Sequence, residues 1–179
     1  MTGRHHSAPV QLSTAQPRKV ICAAPDLVAP HVIDPRLLRL LRDWQGWRGA
    51  RALPSRADFG AERLQYLLGH VFLLDIVAGE GGPRFRYRLF GSAVTMYRGF
   101  DLTGQFLDQH PDPAFASRVH EAYLQSMTAR QPLWAAVAGF TMHGLSANFE
   151  GLILPLASDG ETPDMMLSAQ IMTPGDSPA

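Results

Sequence analysis

Hydrophobic and polar positions change period along this chain, and each change marks an element. Residues 84–89 alternate, with Phe85, Tyr87 and Leu89 on one side and Arg84, Arg86 and Arg88 on the other. A period of two marks a half-buried strand of an antiparallel pair. The run before it, 71–77, is apolar, of strand length and rich in β-formers, and Gly79-Glu80-Gly81-Gly82-Pro83 between them is turn chemistry. The stretch 71–89 therefore predicts a hairpin. Gly91 ends it, and short helical pieces follow at 92–97, 101–104 and 106–107, which would form one wall of a pocket. His110-Pro111-Asp112-Pro113 breaks the chain. Over 114–130 the period becomes helical: Phe115, Val119, Tyr123 and Met127 recur every four residues and line one face. Three more strands are predicted at 133–140, 147–156 and 165–172, with turns at 143–146 and 158–160. In the first of these, Trp134, Ala136, Ala138 and Phe140 share a face.

Ahead of the hairpin, Asp34 is a good N-cap and Pro35 a good first helical residue for a helix ending at Gly49. Leu37, Leu40, Trp44 and Trp47 form an apolar stripe, widened by Leu38 and Leu41. That stripe either packs on the chain's own sheet or pairs with a second copy. In a homodimer the interface residues would be Leu37, Leu40, Leu41, Trp44 and Trp47. A second helix is expected from Asp58, as N-cap, to Gly69-His70. The organisation is a flexible tail at 1–33 with an extended patch at 19–23, a helical segment at 34–70, a core at 71–173 and a tail at 174–179. The order helix, helix, β, β, short helices, long helix, β, β, β predicts an α+β fold, a five-stranded antiparallel sheet with helices on one face.

Composition removes several function classes. The 179 residues carry 16 basic and 16 acidic side chains, so there is no basic excess to hold nucleic acid. One cysteine, Cys22, excludes a disulfide framework and a thiolate metal site. His5-His6 sits in the loose tail and is not read as a metal site, since a ligand site needs fixed geometry. No 18-residue apolar run is present, so a cytoplasmic protein without membrane contact is expected. There is no nucleophile elbow, zinc-protease motif or phosphate loop, and Asp75, Asp101, Glu121 and Glu150 are scattered. The sequence is not read as an enzyme.

Five segments in this order and spacing carry a resemblance: LLRDWQGWRGARALPSRAD at 40–58, HVFLLDI at 70–76, RFRYRLFGSAV at 84–94, the G-x-DLTG run at 99–104 and LILPLASDG at 152–160. Over 34–172 the chain resembles PAS domains, and more specifically the stand-alone bacterial PAS_5 family. The resemblance implies the PAS fold and a sensory or interaction domain for signal transduction. Flavin-binding light-sensing PAS domains carry an inward glutamine on the last strand. By that likeness Gln170, Ser168 and Met166 face a cavity, with Phe149, Gly151 and Ile153 from the preceding strand and Phe72 and Leu74 from the first. Tyr87, Leu89, Tyr97, Tyr123, Met127 and Trp134 complete the expected lining.

The same likeness tests cofactors. Flavin photochemistry of the adduct type needs a cysteine in the segment after Gly104, which reads QFLDQH, and thiol-linked chromophores fail for the same reason. Haem-binding PAS domains that sense oxygen use a histidine on the long helix, where this chain has His120. His120 lies one residue, about 100°, off the Val119/Tyr123 face, which favours a solvated or hydrogen-bonded ring. No cofactor is assigned. The expected function is a stand-alone PAS sensor that binds an uncharged or mixed small molecule in an apolar cavity and signals through a protein partner or a dimer. The alternatives are a ligand-free interaction adaptor and a haem-based gas sensor.

Overall fold

The computed structural model of the chain describes residues 16–142 and 145–174. One six-stranded antiparallel sheet organises it: β1 (Gln16–Cys22), β2 (Val71–Gly79), β3 (Gly82–Leu89), β4 (Leu133–Met142), β5 (Leu145–Leu156) and β6 (Met165–Pro174). The spatial order is β1-β4-β5-β6-β2-β3. The predicted hairpin and the three later strands are all present. The count of five is corrected to six, because residues 16–22, assigned to a flexible tail, form a strand that pairs with β4 in register Val20↔Ala135 and Ile21↔Trp134. β1 covers what would otherwise be the open edge of β4. After it, a short helix α1 (Pro25–Val28) and a 3-10 turn (Ala29–His31) drop Val28 into the core. Residues 1–15 of the expected tail, His5-His6 among them, lie outside the described residues. So do residues 143 and 144 of the expected turn and residues 175–179.

Helix α2 (Pro35–Arg48) starts as its residues require, with Asp34 accepting from the Arg36 N–H at 2.8 Å. It ends at Gly49, whose φ of 57° suits a residue without Cβ. Its stripe is not an interface to a second copy. Leu37, Leu40, Leu41 and Trp44 are at most 1% exposed and pack with Leu152, Leu154, Leu167 and Ile171 on the sheet. Burying each such side chain is worth roughly 1.5–3 kcal/mol, a gain already used within the chain. Trp44 Nε1 also donates to the Pro155 carbonyl at 2.9 Å, and Trp47 stacks on Phe59 at 4.4 Å. The homodimer surface assigned to these five residues is therefore corrected.

The second expected helix is two 3-10 pieces, Arg56–Asp58 and Ala61–Leu67. Ser55 is the N-cap, and Asp58 accepts from the Ser55 N–H at 2.6 Å instead of capping a helix itself. Buried Phe59 is extended between the pieces, which stops α-helix from propagating.

On the other face lie α3 (Ser92–Arg98), a 3-10 turn (Leu107–Gln109) and α4 (Pro113–Ala129), with Asp112 capping α4 through the Phe115 N–H at 2.9 Å. Helices thus cover both faces of the sheet, not one. The second layer exists because the alternate residues Leu152, Leu154 and Leu156 of β5 need cover on the face away from α4.

Candidate functional site

Sheet register decides what faces α4. Direct cross-strand partners share a face, and β4–β5 pairs Leu133↔Ile153, Ala135↔Gly151 and Val137↔Phe149. β5–β6 then continues Ile153↔Ser168 and Gly151↔Gln170, and β2–β6 adds Phe72↔Ser168. Along this ladder Ala135, Gly151 and Ser168 are small, so the sheet is hollowed where α4 crosses it. A cavity of about 160 Å³ results. Phe115, Val119, Ala122 and Tyr123 of α4 roof it, Phe90 and Tyr87 close one side, and Val20 and Arg118 also line it.

Three polar side chains converge at the end of the cavity where α3 and the 105–113 segment meet the sheet: Arg98, His110 and Gln170. Arg98 is the last residue of α3, four after fully buried Val94 and hence on its inward face. It is only 3% exposed. Its Nη2 donates to Gln170 Oε1 at 3.1 Å, and its guanidinium lies over the Phe115 ring at 4.7 Å. The His110 ring sits between Phe100 and Phe115, and its Nδ1 meets both the N–H and the carbonyl of Asp112, at 2.9 and 3.1 Å. Arg98 Nη1, His110 Nε2 and Gln170 Nε2 are buried without a partner among the described residues.

Burial governs their ionisation. It pushes the Arg98 guanidinium down to about 10, so Arg98 stays a cation at neutral pH. Burial, then the Arg98 charge, pushes His110 down to about 4, so that ring is neutral. Burial raises both Tyr87 and Tyr123, and Tyr123 shares a 2.7 Å hydrogen bond with Ser168 Oγ. Both phenols stay protonated at neutral pH.

A family model for the PAS domain, PAS_5, matches residues 33–170. The chain belongs to the PAS_5 family of PAS domains. No curated protein matches it. The α+β architecture is the PAS fold with β1 added beside β4.

In this PAS domain the cavity gathers Phe72, Tyr87, Tyr123, Phe149, Gly151, Ile153, Ser168 and Gln170 as expected from the sequence. Six expected lining residues lie elsewhere. Leu74, Met127 and Met166 pack in the cluster that also holds Phe72, Tyr87 and Tyr123, but do not line the cavity. Leu89 is 44% exposed, because the β2–β3 register shifts between Leu73 and Leu74. The extra residue inverts the alternation there, and Phe90 turns inward in its place. Tyr97 is also 44% exposed, since Val94 and Arg98 occupy the buried side of α3. Trp134 faces α2: it pairs with Leu152, and its Nε1 donates to Glu150 at 2.6 Å.

His120 is the hydrogen-bonded ring that its place off the Val119/Tyr123 face favoured. Its Nε2 meets the Pro83 carbonyl at 3.1 Å and its ring sits edge-on to Phe85, outside the cavity. A space of about 160 Å³ is also far below what a tetrapyrrole needs, since an engineered cavity of about 150 Å³ holds a benzene ring. Among the described residues no cluster of His, Cys, Asp or Glu could hold a metal ion. No helix among them is long and apolar enough to cross a membrane.

Sequence reasoning missed Arg98 and His110. A four-residue step from Val94 pointed to Arg98, but Tyr97 beside it was the more apolar candidate. His110 was read as part of a chain break.

Proposed function

We propose that this PAS domain is a sensor that holds a small molecule between α4 and the β4-β5-β6 part of the sheet, and that occupancy alters its contacts with a signalling protein. The observation that carries this reading is the hollow itself. Small residues stand at Ala135, Gly151 and Ser168 in the centre of an otherwise large-residue face, and the space over them stays open. Interiors otherwise fill to crystal density, so a ring-sized void walled by aromatics is the usual form of a ligand site. No reaction is proposed for it, because the Tyr123–Ser168 pair is engaged with itself and His110 contacts neither of them. The ligand-free adaptor reading has lost the α2 surface assigned to it.

Gly151→Leu tests the cavity. A Cβ at Gly151 meets nothing closer than the Ala169 carbonyl at 3.7 Å and Phe149 Cε2 at 4.0 Å, so the backbone accepts a side chain at this position of the cavity wall. Wild type and variant are titrated with benzyl alcohol, phenylacetamide and phenylacetate and followed by backbone amide shifts. At least one fragment should shift the amides of Gly151, Ser168 and Gln170 in wild type, and none should in the folded variant. No fragment binding at millimolar concentration, or equal binding to both proteins, overturns the reading.

A further inference from the structure

Two of the three buried, unpartnered side-chain atoms around the cavity among the described residues, Arg98 Nη1 and Gln170 Nε2, are donors. Gln170 offers its carbonyl oxygen to Arg98 Nη2, which leaves the amide nitrogen with two free N–H bonds. His110 Nδ1 lies 2.9 Å from the Asp112 N–H and 3.1 Å from the Asp112 carbonyl, and in the tautomer that accepts the N–H its Nε2 carries the proton and is a third donor. Arg98 Nη1 adds two more N–H bonds. In that tautomer three neighbouring side chains present donors to one cavity with no acceptor to receive them.

The charge is unanswered as well. Arg36, Arg84, Arg86 and Arg130, all at the surface, are paired with carboxylates. Arg98, the buried one, has no carboxylate partner among the described residues, and no Asp or Glu lines the cavity. The carboxylates that follow it in sequence are engaged: Asp101 holds the Thr103 N–H at 2.7 Å, Asp108 pairs with Arg84 at 2.7 Å and Asp112 holds the Phe115 N–H at 2.9 Å. A desolvated cation without a counter-ion is costly, and folded proteins pair it or keep it for a ligand.

We propose, on the basis of the sensor reading above, that the ligand is a small monocarboxylate whose carboxylate is held by Arg98, His110 and Gln170 and whose apolar body lies against Phe72 and Phe149. The four lone-pair sites of a carboxylate match these donors, and a guanidinium grips a carboxylate through parallel N–H bonds. With His110 neutral the clamp carries one positive charge, so a monoanion neutralises it. A phosphate monoester would leave a second negative charge among apolar walls. The body is about the size of one six-membered ring or a short branched chain, by comparison with benzene in a cavity of similar volume. Half-buried Arg118, also on the lining, draws anions to the cavity while remaining solvated.

The test is a comparison of phenylacetate, its neutral isostere phenylacetamide and the dianion phenyl phosphate on the full chain, by calorimetry and amide shifts. Phenylacetate should bind at least about tenfold tighter than either, the size of one charge-assisted hydrogen bond. Arg98→Gln should bring acid and amide to within about twofold of each other. Gln170→Glu supplies an internal carboxylate to Arg98, so it should abolish the preference for acid while raising the melting temperature. It also guards against an unfolded Arg98→Gln. An amide that binds wild type as tightly as the acid overturns the carboxylate clamp but leaves the sensor reading standing. Tighter phenyl phosphate makes the ligand a phosphate and overturns the monocarboxylate. Failure of all three to bind overturns the monocarboxylate, and failure of benzyl alcohol as well overturns the sensor reading with it.

Discussion

If Arg98 and Gln170 are kept for a ligand, the empty protein carries their cost, and removing both should stabilise it. The perturbation is the double variant Arg98→Met/Gln170→Leu, which keeps length and shape and removes the charge, the amide and both unpartnered nitrogens. Burial lowers Arg98 from the ordinary arginine value to about 10. At about 1.4 kcal/mol per unit, that displacement is a penalty of about 3 kcal/mol. It is fully present at neutral pH, where folded and unfolded chains are both cationic, and it fades only as pH rises past the lowered value of about 10. The stranded Gln170 amide adds about 1 kcal/mol. Against this stand the guanidinium over Phe115, worth about 1–2 kcal/mol, and the Arg98–Gln170 hydrogen bond, worth about 1 kcal/mol. The balance is a gain of about 1–2 kcal/mol, or about 3–6 °C in melting temperature for a chain of this size. Urea unfolding followed by fluorescence measures it, with an unchanged slope as the check that only stability moved. A loss of more than about 1 kcal/mol at constant slope would show that the pair is a satisfied structural network, and the argument for an awaiting ligand would fall.

Two further outcomes follow from the same geometry. Because His110 is held down to about 4 in the fold by burial and by the charge of Arg98, with Asp112 pulling the other way, its contribution is present above the ordinary histidine value and is lost as pH falls toward 4. Wild type should lose about 2 kcal/mol relative to His110→Phe between pH 7.5 and 5 in urea titrations, and parallel profiles would refute the burial of a neutral ring. Glu150→Gln should cost about 1–3 kcal/mol and raise amide exchange at Ile33 and Asp34, because Glu150 accepts from both backbone N–H groups, at 2.7 and 2.8 Å, and from Trp134 Nε1. Unchanged exchange there would show that α2 is held by its apolar stripe alone.

Strands and the long helix were legible because their periods are long and unbroken. Alternation over Arg84–Arg88 and the four-residue repeat from Phe115 to Met127 each name an element without outside help. Legibility failed where a single-residue event decides the outcome. The register shift at Leu73/Leu74 moves Leu89 outward and Phe90 inward, and nothing in RYRLF announces it. For β4, Trp134 and Leu133 alternate, and an aromatic looked the better cavity wall. Ile153 and Gly151 were already expected to face the cavity, and their direct partners are Leu133 and Ala135, so the pairing places Trp134 on the opposite side. The N-terminal strand was hidden for another reason: β1 is stabilised by an edge 110 residues and more away, not by a local pattern. Arg98 and His110 were invisible because burying a lone guanidinium runs against the rule that sorts charges outward. A residue that breaks that rule while the local fold stays sound is where a function is to be sought.

β5 is the wall common to both halves of the molecule. Its residues Phe149, Gly151 and Ile153 touch the cavity, while Glu150, Leu152 and Leu154 between them touch the layer that holds α2. A carboxylate entering beside Gln170 meets the strand at Gly151, one residue from the side chain that anchors the start of α2. Since successive residues point to opposite faces, a shift of the Gly151 backbone toward or away from α4 moves Glu150 with it. The charge cluster and the Glu150 anchor thus lie on opposite faces of β5, one residue apart. On the sensor reading proposed above, with the α2 stripe buried, a partner would meet the outer side of α2 or the chain leading into it, where Ile33 is 79% exposed.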